Sequence, residues 1–261
     1  MAARSYSEAL FGAAGRRALV TGASSGLGAE MARVLARAGA DVLAVARRRE
    51  RLEALAREAE AEPGRIVPLG ADLSDGAQVD ALADAAHEQL GGCDIVVANA
   101  ATYSLARMER MEPEAFAHDL ALNLHSPWRL CRTLHPLLRD LAAGRVIHVT
   151  SIYGSGAPVV NGLGAYAVAK HGVVGLARSQ AVEWGRDGIT VNALAPGYFP
   201  TEMTKDVMSD EKLREKLLGR TPLRRFGRPE ELAGALLFLA SRASGYVTGA
   251  VLPVDGGWTA W

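Results

Sequence analysis

The sequence has little of three things. Cysteine occurs only at Cys93 and Cys131 in 261 residues. The two are far apart and fit no metal-ligand or redox spacing, so no metal site is expected and reduced, packed thiols are. Net charge is absent, since Lys+Arg and Asp+Glu both number 29. That balance offers no electrostatic footprint for a nucleic acid or an anionic membrane. Long apolar runs are missing as well, because charges or glycines interrupt each one, and a membrane-spanning helix is not expected. The opening Met-Ala-Ala-Arg-Ser-Tyr-Ser-Glu lacks a signal-peptide core, and the expected location is cytoplasmic.

What is there is a chain 49% hydrophobic, enough for one large α/β core. Short apolar runs alternate with helical patterns. Strands are expected at Ala18–Val20, Asp41–Ala46, Ile66–Ala71, Asp94–Ala98, Arg145–Thr150, Ile189–Leu194 and Ala250–Val254. Helices are expected at Leu27–Ala38, Glu50–Ala61, Val79–Leu90, Pro113–Leu122, Pro127–Leu141 and Tyr166–Trp184, with one more opened by Pro229. Alternation of this kind predicts a doubly wound parallel sheet of the Rossmann type. No linker or repeat divides the chain, so residues 1–261 read as one domain. The charged, proline-framed stretch 197–228 is expected to be a mobile flap over a site.

Tyr166 and Lys170, in Tyr-Ala-Val-Ala-Lys, lie one helical turn apart on one face. A phenol has an unperturbed pKa of about 10, and a nearby cation stabilises the phenolate. Lowering that value by about three units takes roughly 4 kcal/mol, which a lysine plus a cationic nicotinamide ring would supply. The pair thus reads as a general acid/base. Taken singly, it is equally a half-buried ring beside a solvated amine.

Thr21-Gly22-Ala23-Ser24-Ser25-Gly26-Leu27-Gly28 stands between the first strand and the first helix. Glycines there let the backbone approach a pyrophosphate at a helix N-terminus, although such a turn also serves as plain strand-to-helix punctuation. An acid that would accept a free ribose 2′-hydroxyl is absent at the end of the second strand, where Ala46 is followed by Arg47 and Arg48. A guanidinium suits a 2′-phosphate. NADP(H) is therefore the expected cofactor, with NAD(H) the alternative. Ser25 adds no second basic residue in the turn, and the arginines can also be read as a solvated helix start.

Together with Asn99, Asn123, Ser151 and Pro196-Gly197, these motifs resemble the short-chain dehydrogenase/reductase family from about Gly15 to Gly257. The resemblance implies that Gly22, Ser24, Ser25, Gly26, Leu27 and Gly28 hold the pyrophosphate. It assigns Asp72 and Leu73 to the adenine, and Asn99 and Ala100 to the adenosine ribose side. Ser151 would bond the substrate oxygen, Tyr166 would be the acid/base, and Lys170 would also bind the nicotinamide ribose. Asn123 would support a proton-relay water. Pro196, Gly197 and Thr201 would flank the nicotinamide carboxamide. Plainer roles are open to Asn123 (a backbone-bonded helix residue), Ser151 (a strand-end cap) and Thr201 (a turn cap).

Two departures stand out. Ala101 replaces the family's usual glycine, and fifteen positions separate Ser151 from Tyr166, longer than the family norm. An enlarged substrate-side loop is expected there, with Ser155 a lesser candidate for the catalytic hydroxyl. The family layout puts Tyr153, His125, Tyr198, Phe199 and Met203 near the pocket. The segments from Pro196 to Thr204 and from Val254 to Trp261 are similar to sugar-acid members such as gluconate 5-dehydrogenases, and to 3-oxoacyl thioester reductases. For the latter, Arg129, Arg132 and Arg186 are candidates to dock an acidic carrier. The expected activity is hydride transfer between a ketone and a secondary alcohol, such as a sugar acid or polyol. A cofactor-sensing regulator and a methyltransferase are the rival readings, and a homotetramer or homodimer is the expected assembly.

Overall fold

A computed structural model describes residues 5–139 and 143–260. Seven strands form one parallel sheet: β1 (Arg17–Thr21), β2 (Asp41–Ala46), β3 (Ile66–Gly70), β4 (Ile95–Ala98), β5 (Arg145–Val149), β6 (Thr190–Pro196) and β7 (Val251–Val254). Their order in space is β3-β2-β1-β4-β5-β6-β7. The order reverses between β1 and β4, which pair from Ala18↔Ile95 to Val20↔Val97. A crevice at the carboxyl ends of the strands is the usual ligand site at such a switch point.

The helices are α1 (Tyr6–Phe11), α2 (Gly26–Arg37), α3 (Arg49–Glu58), α4 (Gly76–Asp80), α5 (Leu82–Leu90), α6 (Pro113–Leu120), α7 (Ser126–Arg139), α8 (Gly164–Trp184), α9 (Lys205–Ser209), α10 (Glu211–Arg220) and α11 (Ala233–Ala240). Alternate residues of each strand face opposite sides of the sheet. On one side Val20, Ala44, Val97 and Ile147 pack against Met31 and Leu35 of α2 and Leu236 and Leu239 of α11. On the other, Leu19, Leu43, Val96 and Val191 meet Leu82 of α5, Leu130 and Leu134 of α7, and Ala177 of α8. Both faces of the sheet are thus covered, which is why the strands read as unbroken apolar runs.

Three boundaries differ from the sequence expectation. The helix expected at Val79–Leu90 is split into α4 and α5 at Ala81. The helices expected at Pro113–Leu122 and Pro127–Leu141 run on through a wide π turn, Ala121–His125. Leu141 lies outside the described residues. Pro127 explains the wide turn, since it has no amide to give the Asn123 carbonyl four residues earlier. Thirdly, α9 and α10 lie within the stretch 197–228, and the turn after Pro229 is 3-10 up to Leu232 before α11 begins. Among the described residues, no helix is long and apolar enough to cross a membrane.

Candidate active site

A cavity of about 510 Å³ opens at the carboxyl ends of the strands. At one end is the β1–α2 turn. Gly22 has a φ of 66°, and a Cβ there would come within 2.8 Å of the Ala100 Cα. A Cβ on Gly28 would run into the Gly22 carbonyl oxygen. Only glycine permits both the left-handed turn and its seating against the end of β4. Thr21, missed in the sequence reading, pins that contact. Its hydroxyl accepts the amides of Asn99 and Ala100 at 2.9 and 3.0 Å, while the Asn99 Nδ2 donates to the Thr21 carbonyl at 2.9 Å. Asn99 is therefore a brace for the turn as well as a lining residue.

The 2′ end of the groove is built from more than Arg47. Arg47 is exposed along the lining. Arg48, next to Arg47, donates from Nη2 to Ser25 Oγ at 2.8 Å and to Ser24 Oγ at 3.1 Å. Its Nη1 pairs with Glu202 at 2.9 Å. Asp72 and Leu73 form the opposite lip. The Asp72 carboxylate accepts the Ser74 amide and hydroxyl, which together hold its pKa below the ordinary value.

At the other end, Ser151 follows β5 and Tyr166 and Lys170 project from α8 into the same cavity. The Ser151 hydroxyl lies within hydrogen-bonding reach of the Tyr166 phenol. It also accepts the Tyr153 amide at 3.1 Å, so the strand-end cap and the site position coincide. Ser155 is exposed and lies outside the lining. Lys170 is buried, its Nζ donating to the Val149 carbonyl at 2.8 Å. The amine lies over the Tyr166 ring, 5.5 Å from its centroid.

In the protein alone, burial raises Tyr166 to about 12, opposed by the Ser151 hydrogen bond, and the expected lowering calls on a cationic nicotinamide as well as on Lys170. Burial lowers Lys170 to about 8. Desolvation outweighs the pairing because the ammonium faces the ring and a carbonyl rather than the hydroxyl.

Asn123 stands behind the cavity wall, not in it. Its Nδ2 donates to the carbonyls of Thr102 and Asp119, both at 2.8 Å, and its Oδ1 accepts the Thr102 amide at 3.2 Å. Thr201 lines the cavity over Gly26 and caps the Glu202–Thr204 turn, bonded to Thr204 through both its amide and its hydroxyl. Pro196 and Gly197 complete that wall. Of the pocket residues expected from the family layout, Tyr153, Tyr198, Phe199 and Met203 line the cavity. His125 is exposed and does not. Trp258 packs against Tyr198 at 5.4 Å between ring centroids, while Trp261 lies outside the described residues.

The arrangement provides a groove with a phosphate-sized glycine cradle at one end and a phenol, hydroxyl and amine at the other. Residues 22–259 match the family model described as Enoyl-(Acyl carrier protein) reductase. The chain is 37% identical over 251 residues to a gluconate 5-dehydrogenase of Gluconobacter oxydans, covering 96% of this chain and 97% of the relative. The chain belongs to the short-chain dehydrogenase/reductase family. It is an oxidoreductase that acts on CH–OH groups. A 3-oxoacyl-(acyl-carrier-protein) reductase of Thermotoga maritima is also 37% identical, over 244 residues, covering 93% of this chain and 97% of the relative. Among solved structures, a gluconate 5-dehydrogenase from Burkholderia cenocepacia J2315 in complex with NADP and tartrate superimposes with a TM-score of 0.91. It is 33% identical, and the match covers 98% of this chain and 100% of that one.

Proposed function

We propose that this short-chain dehydrogenase/reductase uses NADP(H) to interconvert a ketone and a secondary alcohol, with Tyr166 as the acid/base. The observation that carries the reading is that Tyr166, Ser151 and Lys170 share one cavity with the glycine cradle. The cradle fits a dinucleotide, because glycine at 22 and 28 lets the turn close tightly on itself and on Asn99 and Ala100, which leaves the first amides of α2 to meet a pyrophosphate. Gly22, Ser24, Ser25, Gly26, Leu27 and Gly28 would hold the pyrophosphate, and Asp72 and Leu73 the adenine. Asn99 and Ala100 would face the ribose, and Arg47 with Arg48 the 2′-phosphate. Tyr166 and Lys170 would bind the second ribose, beside Pro196, Gly197 and Thr201. When bound, the nicotinamide supplies or accepts the hydride.

The protein's own residues handle the proton. In reduction, the Tyr166 phenol donates to the carbonyl oxygen as negative charge develops there, and Ser151 hydrogen-bonds the same oxygen. A phenol with a pKa of about 12 remains protonated at neutral pH, which suits donation. In oxidation, the proton is taken by the phenolate form of Tyr166, so the phenol must first lose its own proton. Lys170, whose ammonium titrates near 8, supplies the positive charge beside it. Asn123 positions the wide turn by tying it to residue 102 and to Asp119.

For the substrate, the lining near Tyr166 favours a neutral compound with an apolar body. Tyr153 and Tyr198 share a 2.5 Å hydroxyl contact there, beside Val160, Leu163 and Leu213. Among the described residues, the cations lining the cavity are Arg47, Arg48 and Lys170, none of them placed to pair a substrate carboxylate, while Asp206 and Asp210 would repel one. A sugar acid is accordingly favoured less than a neutral ketone. A 3-oxoacyl thioester is the second reading, because the same apolar wall suits an acyl chain. Two of its expected docking arginines, Arg129 and Arg132, are occupied by Asp80. We also propose a homotetramer or homodimer, joined through α7, α8 and β7.

The test is cofactor oxidation with NADPH and NADH against cyclic ketones, acetoacetyl thioesters and keto-gluconates. Higher kcat/KM with NADPH and turnover of neutral ketones are expected. Tyr166→Phe should lower kcat by at least about a hundredfold with cofactor affinity little changed. Retained turnover in that variant removes the acid/base assignment, and equal use of NADH removes the cofactor assignment.

A further inference from the structure

Glu202 is the first residue after Thr201, and it crosses from the 197–228 stretch to the arginines beyond β2. One carboxylate oxygen pairs with Arg48 Nη1 at 2.9 Å, and the other with Arg51 Nη1. Arg48 meanwhile spreads its remaining donors over Ser24 and Ser25 of the glycine turn. Two guanidiniums around one anion, braced by hydroxyls, is the donor arrangement that recognises phosphate. It stands just beyond Ala46, where dinucleotide enzymes read the ribose 2′ position.

We propose that Glu202 occupies the place of the cofactor's 2′-phosphate and acts as an internal competitor that sets cofactor selectivity. This inference rests on the NADP(H) reading above. A 2′-phosphate carries more charge than a carboxylate and takes Arg48 from Glu202. A cofactor with a free 2′-hydroxyl leaves the pair in place. Glu202 then provides, from a distant part of the chain, the acceptor for that hydroxyl which Ala46 cannot provide. Glu202 thus weakens NADP(H) binding and favours NAD(H), and the natural preference is the balance between Arg48 and its own carboxylate partner.

Calorimetry on the cofactor-free protein tests this with adenosine 2′,5′-bisphosphate and adenosine 5′-monophosphate as probes. Glu202→Gln should tighten the bisphosphate by about two- to fivefold, the scale of losing an exposed ion-pair competitor. Monophosphate binding should be unchanged or weaker. Glu53→Gln removes the same charge from α3, where Glu53 pairs with Arg49 rather than Arg48, and should leave both affinities unchanged. Unchanged or weaker bisphosphate binding in Glu202→Gln overturns the inference, as does an equal gain in Glu53→Gln. The underlying cofactor reading fails separately, if the wild-type protein binds the bisphosphate no tighter than the monophosphate. A preference appearing only in Glu202→Gln would still uphold the competitor role.

Discussion

The Lys170 ammonium is enclosed against the Val149 carbonyl, and burial alone brings its pKa to about 8. Its sign fixes a pH dependence. A lysine with a depressed pKa is charged below that value and neutral above it, so the positive charge beside Tyr166 is present at pH 7 and lost on the alkaline side. In the reductive direction, kcat/KM for the cofactor, which reports the free enzyme, should decline above pH about 8, by roughly tenfold per unit for a single required proton. A pH profile flat to 9.5 would rule out this role for the ammonium. Single residues were unevenly legible. Gly22, Gly28, Tyr166 and Lys170 could be read because their chemistry depends on local spacing: a tight turn, and one helical turn on one face. The partners of Arg48, Thr21 and Glu202 could not. What matters in these residues is which distant groups they meet, Glu202 lying far along the chain from Arg48, and sequence proximity carries no trace of that. The pKa of Tyr166 escaped for a related reason, since spacing shows the lysine but not the desolvation that outweighs it.

The α6–α7 element turns on one irregular segment. Asn123 sits in the π turn, where its side chain donates to the Asp119 carbonyl, the acceptor four residues back, and also to the Thr102 carbonyl. Three hydrogen bonds to the main chain would be lost in Asn123→Ala, leaving the Thr102 amide and carbonyl without these partners. At about 1 kcal/mol for each net bond, destabilisation of about 2–4 kcal/mol is expected. Urea unfolding should show it as a lower midpoint with an unchanged slope. Loss of turnover with stability unaffected would instead make Asn123 a purely chemical participant. The period of α7 was readable, because it buries a stripe of leucines, Leu130, Leu134 and Leu138. The turn before it was not: residue patterns mark the faces of a helix but hardly register one extra residue in its winding. Similarly, the charged composition of 197–228 did not mark α9 and α10 within it. Leu217 of α10 is buried in a cluster that also holds Trp258, from the far C-terminus.

For the whole molecule, the sheet and its order follow from alternating strands and helices, while assembly depends on surfaces that face outward. Val182 is 85% exposed and Val168 47% exposed on α8, and Trp128 on α7 is 48% exposed. Apolar groups on the two longest helices are the kind that symmetric interfaces cover. Sedimentation velocity should find a dimer or tetramer, and Val182→Glu should shift it toward the monomer. A monomeric wild-type protein at micromolar concentration would dismiss the proposed assembly. The central place of β1 has another consequence, for synthesis. It borders β2 on one side and β4 on the other, and β4 ends only at Ala98. At ribosomal speeds of roughly 5–20 residues per second, β1 waits on the order of 4–15 s for its second neighbour. During that interval, one edge of the strand leading into the nucleotide turn presents open amides and carbonyls to the cell, so the nascent chain is most exposed to aggregation before its binding site has a second wall.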